Sequence, residues 1–330
     1  MKKLLILILT LCLGACAPYT ENTPSTPAPE QSLFILAPKG YEGIQEVAKA
    51  YLENSQTKIQ TDDYFDYLKI ALNSENAPTL FIVENKSQLM SLEEKLEELS
   101  SEEWVNNACV NTLASQKGRV YSMPTTLKGI GIVYNSEILK QSGINPENLN
   151  SLKRFYDTFE ILEERIEKGD FKETFPRLKE IFSIDETATY FEELEELIDE
   201  YSQEHTLKDF ANEKTVAILS DTDVYYKVKE INEQTAEKLN LLPITVDGKI
   251  ESKIILTPTH YWAINKNASY EEKKTAKEFL SWLYTGDGRQ YLDTLNFINP
   301  ITMFEENPEL PPLLKDLKTY ADTAKTTTLD

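Results

Sequence analysis

Two arrangements of hydrophobic positions alternate along most of the chain. Leu33-Phe34-Ile35-Leu36-Ala37 is an unbroken apolar run closed by Pro38-Lys39-Gly40, the pattern of a buried strand ending in a turn. Residues 42–53 then bring Ile44, Val47, Ala48, Tyr51 and Leu52 onto one helical face. Residues 63–73 read as a second helix and Thr79-Leu80-Phe81-Ile82-Val83 as a second buried strand. Further strands are predicted at 119–123, 129–134, 214–219 and 253–257. Apolar strands without polar alternation need cover on both faces, so the pattern predicts an α/β chain with parallel sheets between helices.

Residues 151–212 break the alternation. No strand is evident there; three or so amphipathic helices are predicted, one marked by Phe191, Leu194, Ile198 and Tyr201. Nine acidic residues fall between Asp185 and Glu204, mostly off that apolar stripe, which is the pattern of a solvated helix face rather than of a catalytic pair. This helical insert reads as part of a second lobe. The last clear helix is the best specified. Ser269 and Glu272 have capping-box spacing, Ala276, Phe279, Leu280 and Leu283 form the stripe, and Gly286 supplies the stop. Trp282 lies beside the stripe, where packing is the expected role.

The N-terminus sets the expected compartment. Lys2 and Lys3 precede an almost wholly apolar run, Leu4 to Leu13, which is too short to span a bilayer and has the length of a secretory h-region. The run ends in Leu13-Gly14-Ala15-Cys16, which resembles a bacterial lipobox. That resemblance implies a signal peptide over 1–15 and a diacylated Cys16 at the mature N-terminus. It implies a palmitate-bearing lipoprotein held on the extracytoplasmic face of the cell membrane with no transmembrane helix. Residues 17–32 carry Pro18, Pro24, Pro27 and Pro29 among small polar residues and read as a flexible tether. Cys12 leaves with the signal, so Cys109 has no intramolecular partner and reads as an inert buried thiol.

Composition narrows the function. The 330 residues carry a formal net charge of −21, and loss of Lys2 and Lys3 with the signal takes it to −23. Such a surface repels nucleic-acid phosphates, so no nucleic-acid partner is expected. Two histidines, His205 and His260, and three cysteines are too few for a Cys/His zinc cage, and neither a cofactor nor a metal is expected. No phosphate-cradling glycine loop and no nucleophile elbow occurs, and nothing selects an acid/base carboxylate pair. The expectation is a binding protein and not an enzyme.

Two segments carry a family resemblance. Gly118-Arg119-Val120-Tyr121-Ser122-Met123-Pro124, Gly131-Ile132-Val133-Tyr134-Asn135 and Ile138-Leu139-Lys140-Gln141-Ser142-Gly143-Ile144 form one. Tyr261-Trp262-Ala263-Ile264-Asn265-Lys266-Asn267, with Glu272, Ala276, Phe279 and Leu280 and then Thr285-Gly286-Asp287-Gly288-Arg289-Gln290, forms the other. In order and spacing they resemble the carbohydrate-type, family 1 extracellular solute-binding proteins of ATP-driven (ABC-type) importers. The resemblance implies a two-lobed periplasmic-binding fold of type II, each lobe a mixed, mainly parallel sheet flanked by helices. By analogy the first lobe is 33–123 plus 259–297 and the second is 124–258 plus 298–330. Pro124-Thr125-Thr126 and Thr257-Pro258-Thr259 are then crossovers that absorb a hinge rotation. The implied partners are a small solute, a sugar or oligosaccharide, and the importer's membrane permease subunits.

A sugar site needs rings against C–H faces and carboxylates or amides on hydroxyls. Strand-end position offers Tyr41, Glu84, Asn85, Thr125, Thr126 and Asp221, and the second family segment offers Tyr261 and Trp262. Asp221 is alternatively an N-cap for the helix after it. The chain departs from the family pattern at Ser220-Asp221-Thr222, where a Gly-Pro-Trp turn is common, and at Asn150-Ser151-Leu152, where Pro-x-Thr-Trp is common. The alternatives on the same scaffold are a polyamine receptor and a ferric-iron receptor using Tyr225 and Tyr226; a non-transport sensor or partner-binding lipoprotein is the reading of a different class.

Overall fold

Short apolar runs become strands buried on both faces. In the computed structural model β1 (Phe34–Pro38) and β3 (Leu80–Val83) lie side by side and parallel, with β2 (Gln56–Gln60) on the outer edge of β1. Side chains alternate across this sheet. Ile35, Ala37, Leu80 and Ile82 enter one core, while Leu36, Phe81 and Val83 enter another on the opposite face. The structure describes residues 31–108, 114–116, 118–146, 152–178, 180–184, 206–246, 250–256, 260–292, 294–301, 310–323 and 326–327. The expectations placed on Cys12, Cys16, Cys109, the tether up to residue 30, the acidic run Asp185–Glu204, His205 and Thr257-Pro258-Thr259 lie outside them.

The first sheet has the order β2-β1-β3-β12-β5-β4, completed by β4 (Ala114–Gln116), β5 (Arg119–Pro124) and β12 (Tyr261–Ile264). β12 arrives from far along the chain and runs antiparallel between β3 and β5. Helices Ile44–Tyr51 and Tyr270–Thr285 cover one face; helices Tyr64–Ala71 and Lys86–Ser91 cover the other.

The second sheet centres on β6 (Gly129–Asn135) and β8 (Thr215–Asp221), antiparallel, with β7 (Glu180–Ile184) parallel to β8. On the other side β6 pairs with β9 (Leu239–Leu242) and β11 (Ile250–Leu256), and β11 carries β10 (Ile244–Val246) and β13 (Thr326–Thr327). Helices Val224–Ile231 and Pro312–Asp322 pack into its core through Val224, Tyr225, Val228, Leu313, Leu314 and Leu317. The mixed α/β class therefore holds. The second sheet has more antiparallel pairing than the mainly parallel arrangement expected, because β6 runs against three neighbours.

Three differences from the sequence reading have physical causes. β2 was not foreseen, because Gln56-Thr57-Lys58-Ile59-Gln60 is an edge strand with little apolar content. β7 corrects the expectation that 151–212 holds no strand. Helix Tyr270–Thr285 has the expected box, with Ser269 Oγ accepting from Glu272 N and Glu272 accepting from Ser269 N; Gly286 ends it in extended rather than left-handed backbone.

The chain passes between sheets by short steps. β5 ends at Pro124 in the first sheet and β6 begins at Gly129 in the second. β11 ends at Leu256 in the second and β12 begins at Tyr261 in the first. Phe297 belongs to the first core, Ile298 to the second and Ile301 to the first again. The passages are bonded together: Leu127 N donates to Ile298 O at 3.0 Å, Ile298 N to Thr126 Oγ1 at 2.6 Å, and Thr125 N to His260 O at 3.0 Å.

Candidate functional site

Register brings strand ends from both sheets to these passages. In the first sheet Val83, Tyr261 and Pro124 stand in one row; in the second Asp221 stands opposite Ile130, one residue into β6. Loops leaving those rows share the crossover region, the place where open α/β sheets characteristically bind ligands.

Tyr41 is central. It follows the turn after β1, and its hydroxyl shares a 3.1 Å hydrogen bond with Thr125 Oγ1. Its ring lies 5.2 Å from the His260 ring and 5.7 Å, edge-on, from Phe297, a small aromatic wall at the start of three passages. Burial raises the Tyr41 hydroxyl pKa against the lowering effect of the Thr125 bond; the carboxylates of Asp223, from the second sheet's side, and Glu84, from the first, raise it further. His260 is held neutral, its pKa lowered to about 4 first by burial and then by the Lys128 ammonium, with Asp223 opposing. Lys128, on the first passage, pairs with Asp223, which starts the helix after β8.

The expected site residues divide. Tyr41, Glu84 and Asp221 are half-buried at the strand ends. Glu84 Oε2 accepts from Gln88 Nε2 at 3.2 Å, and Asp221 Oδ1 accepts from Asp223 N at 3.0 Å. Asp223, not Asp221, occupies the N-cap position of helix Val224–Ile231. Asn85 is exposed, but its oxygen caps helix Lys86–Ser91 by accepting from Gln88 N at 2.9 Å. Thr125 is buried behind Tyr41, and Thr126 Oγ1 is bonded to Ile298 N. Tyr261 is 2% exposed and Trp262 0%. Their rings alternate into the two cores of the first sheet, and Trp262 Nε1 donates to Tyr284 Oη at 2.8 Å. This corrects the expectation that Trp262 and Tyr261 present rings to a ligand: as members of a doubly covered strand they have no free face.

His260, Asp223, Lys128 and Phe297 were missed. Each stands within a few residues of a recognised position, but none carries an independent sequence signal. Tyr225 and Tyr226 lie on a helix with rings 5.2 Å apart; Tyr225 is buried and its hydroxyl donates to Glu237 at 2.8 Å, so Tyr225 is engaged within the second core rather than held out as an iron ligand. Among the described residues no group of three or more His, Cys, Asp or Glu side chains is placed to hold a metal, and no helix is long and apolar enough to cross a membrane. A groove of about 680 Å³ on the outer side of helix Tyr270–Thr285 is lined by Lys273, Lys277, Glu97 and Glu102, which pair with each other at 3.0–3.3 Å.

No protein-family model and no curated protein matches the chain. Solved structures do. Apo RafE from Streptococcus pneumoniae superposes with a TM-score of 0.67 at 14% identity, over 91% of this chain and 89% of that one. A family 1 extracellular solute-binding protein from Alicyclobacillus acidocaldarius gives 0.64 at 15%, over 92% and 88%. The fold is that of the two-lobed extracellular solute-binding proteins. A Bacillus licheniformis sugar transporter protein in complex with stachyose gives 0.56 at 18%, over 90% and 88%. Tyr41, His260 and the Lys128–Asp223 pair lie at the passages between the two sheets.

Proposed function

We propose that the protein is an extracytoplasmic solute-binding protein that captures a sugar or oligosaccharide between its lobes and presents it to the permease subunits of an ABC-type importer. The observation that carries this reading is the aromatic wall of Tyr41, His260 and Phe297 where the passages between the sheets are bonded together, with the Lys128–Asp223 pair acting on the His260 imidazole. Neighbours on the same fold have been solved with stachyose and raffinose. A ring with a carboxylate nearby suits a polyol, since carboxylates accept from neighbouring hydroxyls while the ring covers a C–H face. We take the lobes as 33–123 plus 259–297 and 124–258 plus 298–330. The chain is tethered by the lipid on Cys16 to the outer face of the cell membrane, once residues 1–15 are removed.

The test is calorimetry and thermal shift on the chain from residue 32 with raffinose, stachyose, spermidine and ferric citrate. One sugar is expected to bind without turnover and to raise Tm by mass action. Tyr41→Ala should weaken it at least about tenfold, since a buried stacking ring contributes a kcal/mol or more. A response to spermidine alone would replace the sugar by a polyamine. Cys16→Ser should abolish labelling of the full chain by a fatty-acid probe in bacterial cells, and persistent labelling would remove the anchor.

A further inference from the structure

We infer that Tyr284 is a positioning residue for Tyr41 and the bracket that ties the three inter-sheet passages at one point; the inference rests on the solute-binding reading only in its ligand arm. Tyr284 sits in helix Tyr270–Thr285, is 0% exposed, and touches each passage with a different bond. Its hydroxyl accepts from Trp262 Nε1 at 2.8 Å, at the start of β12 just after the second passage. The same hydroxyl donates to the carbonyl oxygen of Thr125, on the first. Its backbone carbonyl accepts from Asn299 Nδ2 at 2.8 Å, on the third. Thr125 carries the effect outward, for its Oγ1 bonds the Tyr41 hydroxyl at 3.1 Å and its N–H reaches His260 O at 3.0 Å. A buried hydroxyl that both donates and accepts fixes its two partners by direction.

Tyr284, Trp262 and the ring-bearing end of the chain at Phe297 all belong to the first core. The bracket is therefore anchored in one lobe and holds the first residue of the 125–128 passage still. Rotation between lobes begins beyond Thr125, and Tyr41 keeps one orientation because its partner does not move. This gives Trp262 a part in binding without contact: it supplies the N–H that orients the Tyr284 hydroxyl.

The test uses the full chain with 3-fluorotyrosine at position 41, read by fluorine NMR without ligand, alongside hydrogen exchange. Tyr284→Phe keeps the ring and removes the hydroxyl. It should shift or split the Tyr41 line and raise exchange of peptides covering 124–128 and 260–263 at least tenfold, with 215–219 of the second sheet unchanged. Leu283→Val, a change in the same core that removes no hydrogen-bonding group, should leave the line in place. Trp262→Phe removes the indole N–H together with ring volume from the core and should move the line in the same direction, which keeps the test open if Tyr284→Phe does not fold. An unmoved line in both hydroxyl-network variants, or an equal movement in Leu283→Val, overturns the inference. Stachyose affinity should fall about tenfold in Tyr284→Phe. A wild type that binds no sugar, with the line still shifted by Tyr284→Phe, would end the solute reading and leave the bracket standing.

Discussion

The two sheets approach the crossover with different materials. On the first side the geometry is set by directional bonds among buried polar groups: Trp262 to Tyr284, Tyr284 to Thr125, Thr125 to Tyr41. On the second side it is set by close approach of backbone. A Cβ on Gly131 of β6 would lie 2.5 Å from the Leu242 carbonyl oxygen, and one on Gly129 would lie 2.6 Å from side-chain carbons of Ile254 and Leu317. Thr222 closes that end by exchanging bonds with Gly129, N–H to O at 3.0 Å and N–H to Oγ1 at 3.2 Å. The first side is thus vulnerable to the loss of an atom and the second to the gain of one.

The largest effect should come from the first side. Trp262→Ala removes the largest fully buried side chain among the described residues and takes the indole N–H donor away from the Tyr284 hydroxyl, leaving its bond to Thr125 O. Large-to-small changes of this kind cost about 3–5 kcal/mol, and urea unfolding with an unchanged slope is the measurement. Weaker ligand binding with stability intact would return Trp262 to the site and break the comparison.

The matching change on the second side adds atoms. Gly131→Ala should cost about 2–3 kcal/mol, the upper part of the roughly 1–3 kcal/mol range for overpacking a filled core, because the obstacle includes a ladder carbonyl that cannot yield without moving β9. Gly129→Ala should cost less, about 1 kcal/mol, since its obstacles are side-chain ends. Equal stabilities for the two variants would mean that backbone proximity is not what holds this edge.

These contrasts also explain what was legible. β1, β3, β6 and β8 were readable because strands buried on both faces are unbroken apolar runs, and the helix at Tyr270–Thr285 because its box and stripe agree. β2 was not, since an edge strand needs few apolar residues. Tyr261-Trp262-Ala263-Ile264 is itself an apolar run of the buried kind, and taking its rings for a ligand platform ignored the alternation that sends them into two cores. Of the candidate site, the half-buried strand-end placement of Tyr41, Glu84 and Asp221 was legible from the apolar runs that precede them. His260 and Asp223 were not, because what recruits them is proximity across the crossover between residues far apart in sequence.

A pH series sharpens the first side's dependence on neutral polar packing. The folded His260 pKa is lowered to about 4 from 6.5 by burial and then by Lys128, with Asp223 opposing. Its charged form is favoured in the unfolded chain, which binds more protons between those values. The stability it contributes is therefore full above pH 6.5 and is lost as pH falls toward 4, on the order of 2–3 kcal/mol. His260→Gln should flatten that part of the urea midpoint-against-pH curve. An unaltered slope would mean that Asp223 shields the imidazole well enough to cancel the burial.

The smallest effects belong to caps, one in each half. Ser269 closes an exposed capping box on the first, and its replacement by Ala should cost about 1 kcal/mol. Asn135, at the end of β6, caps helix Ser136–Ser142 from a buried position by accepting from Glu137 N at 3.1 Å and Ile138 N at 3.3 Å, while its Nδ2 makes no hydrogen bond. Asn135→Ser keeps the acceptor and drops the buried amide donor, whose desolvation costs about 1–3 kcal/mol when unmet. The gain offsets the longer reach that serine must make, and the unfolding free energy from urea titration should stay within about 0.5 kcal/mol of wild type. A loss as large as that of Ser269→Ala would show that the Asn135 amide does hydrogen-bond in solution, and that the second half depends on directional polar contacts as much as the first.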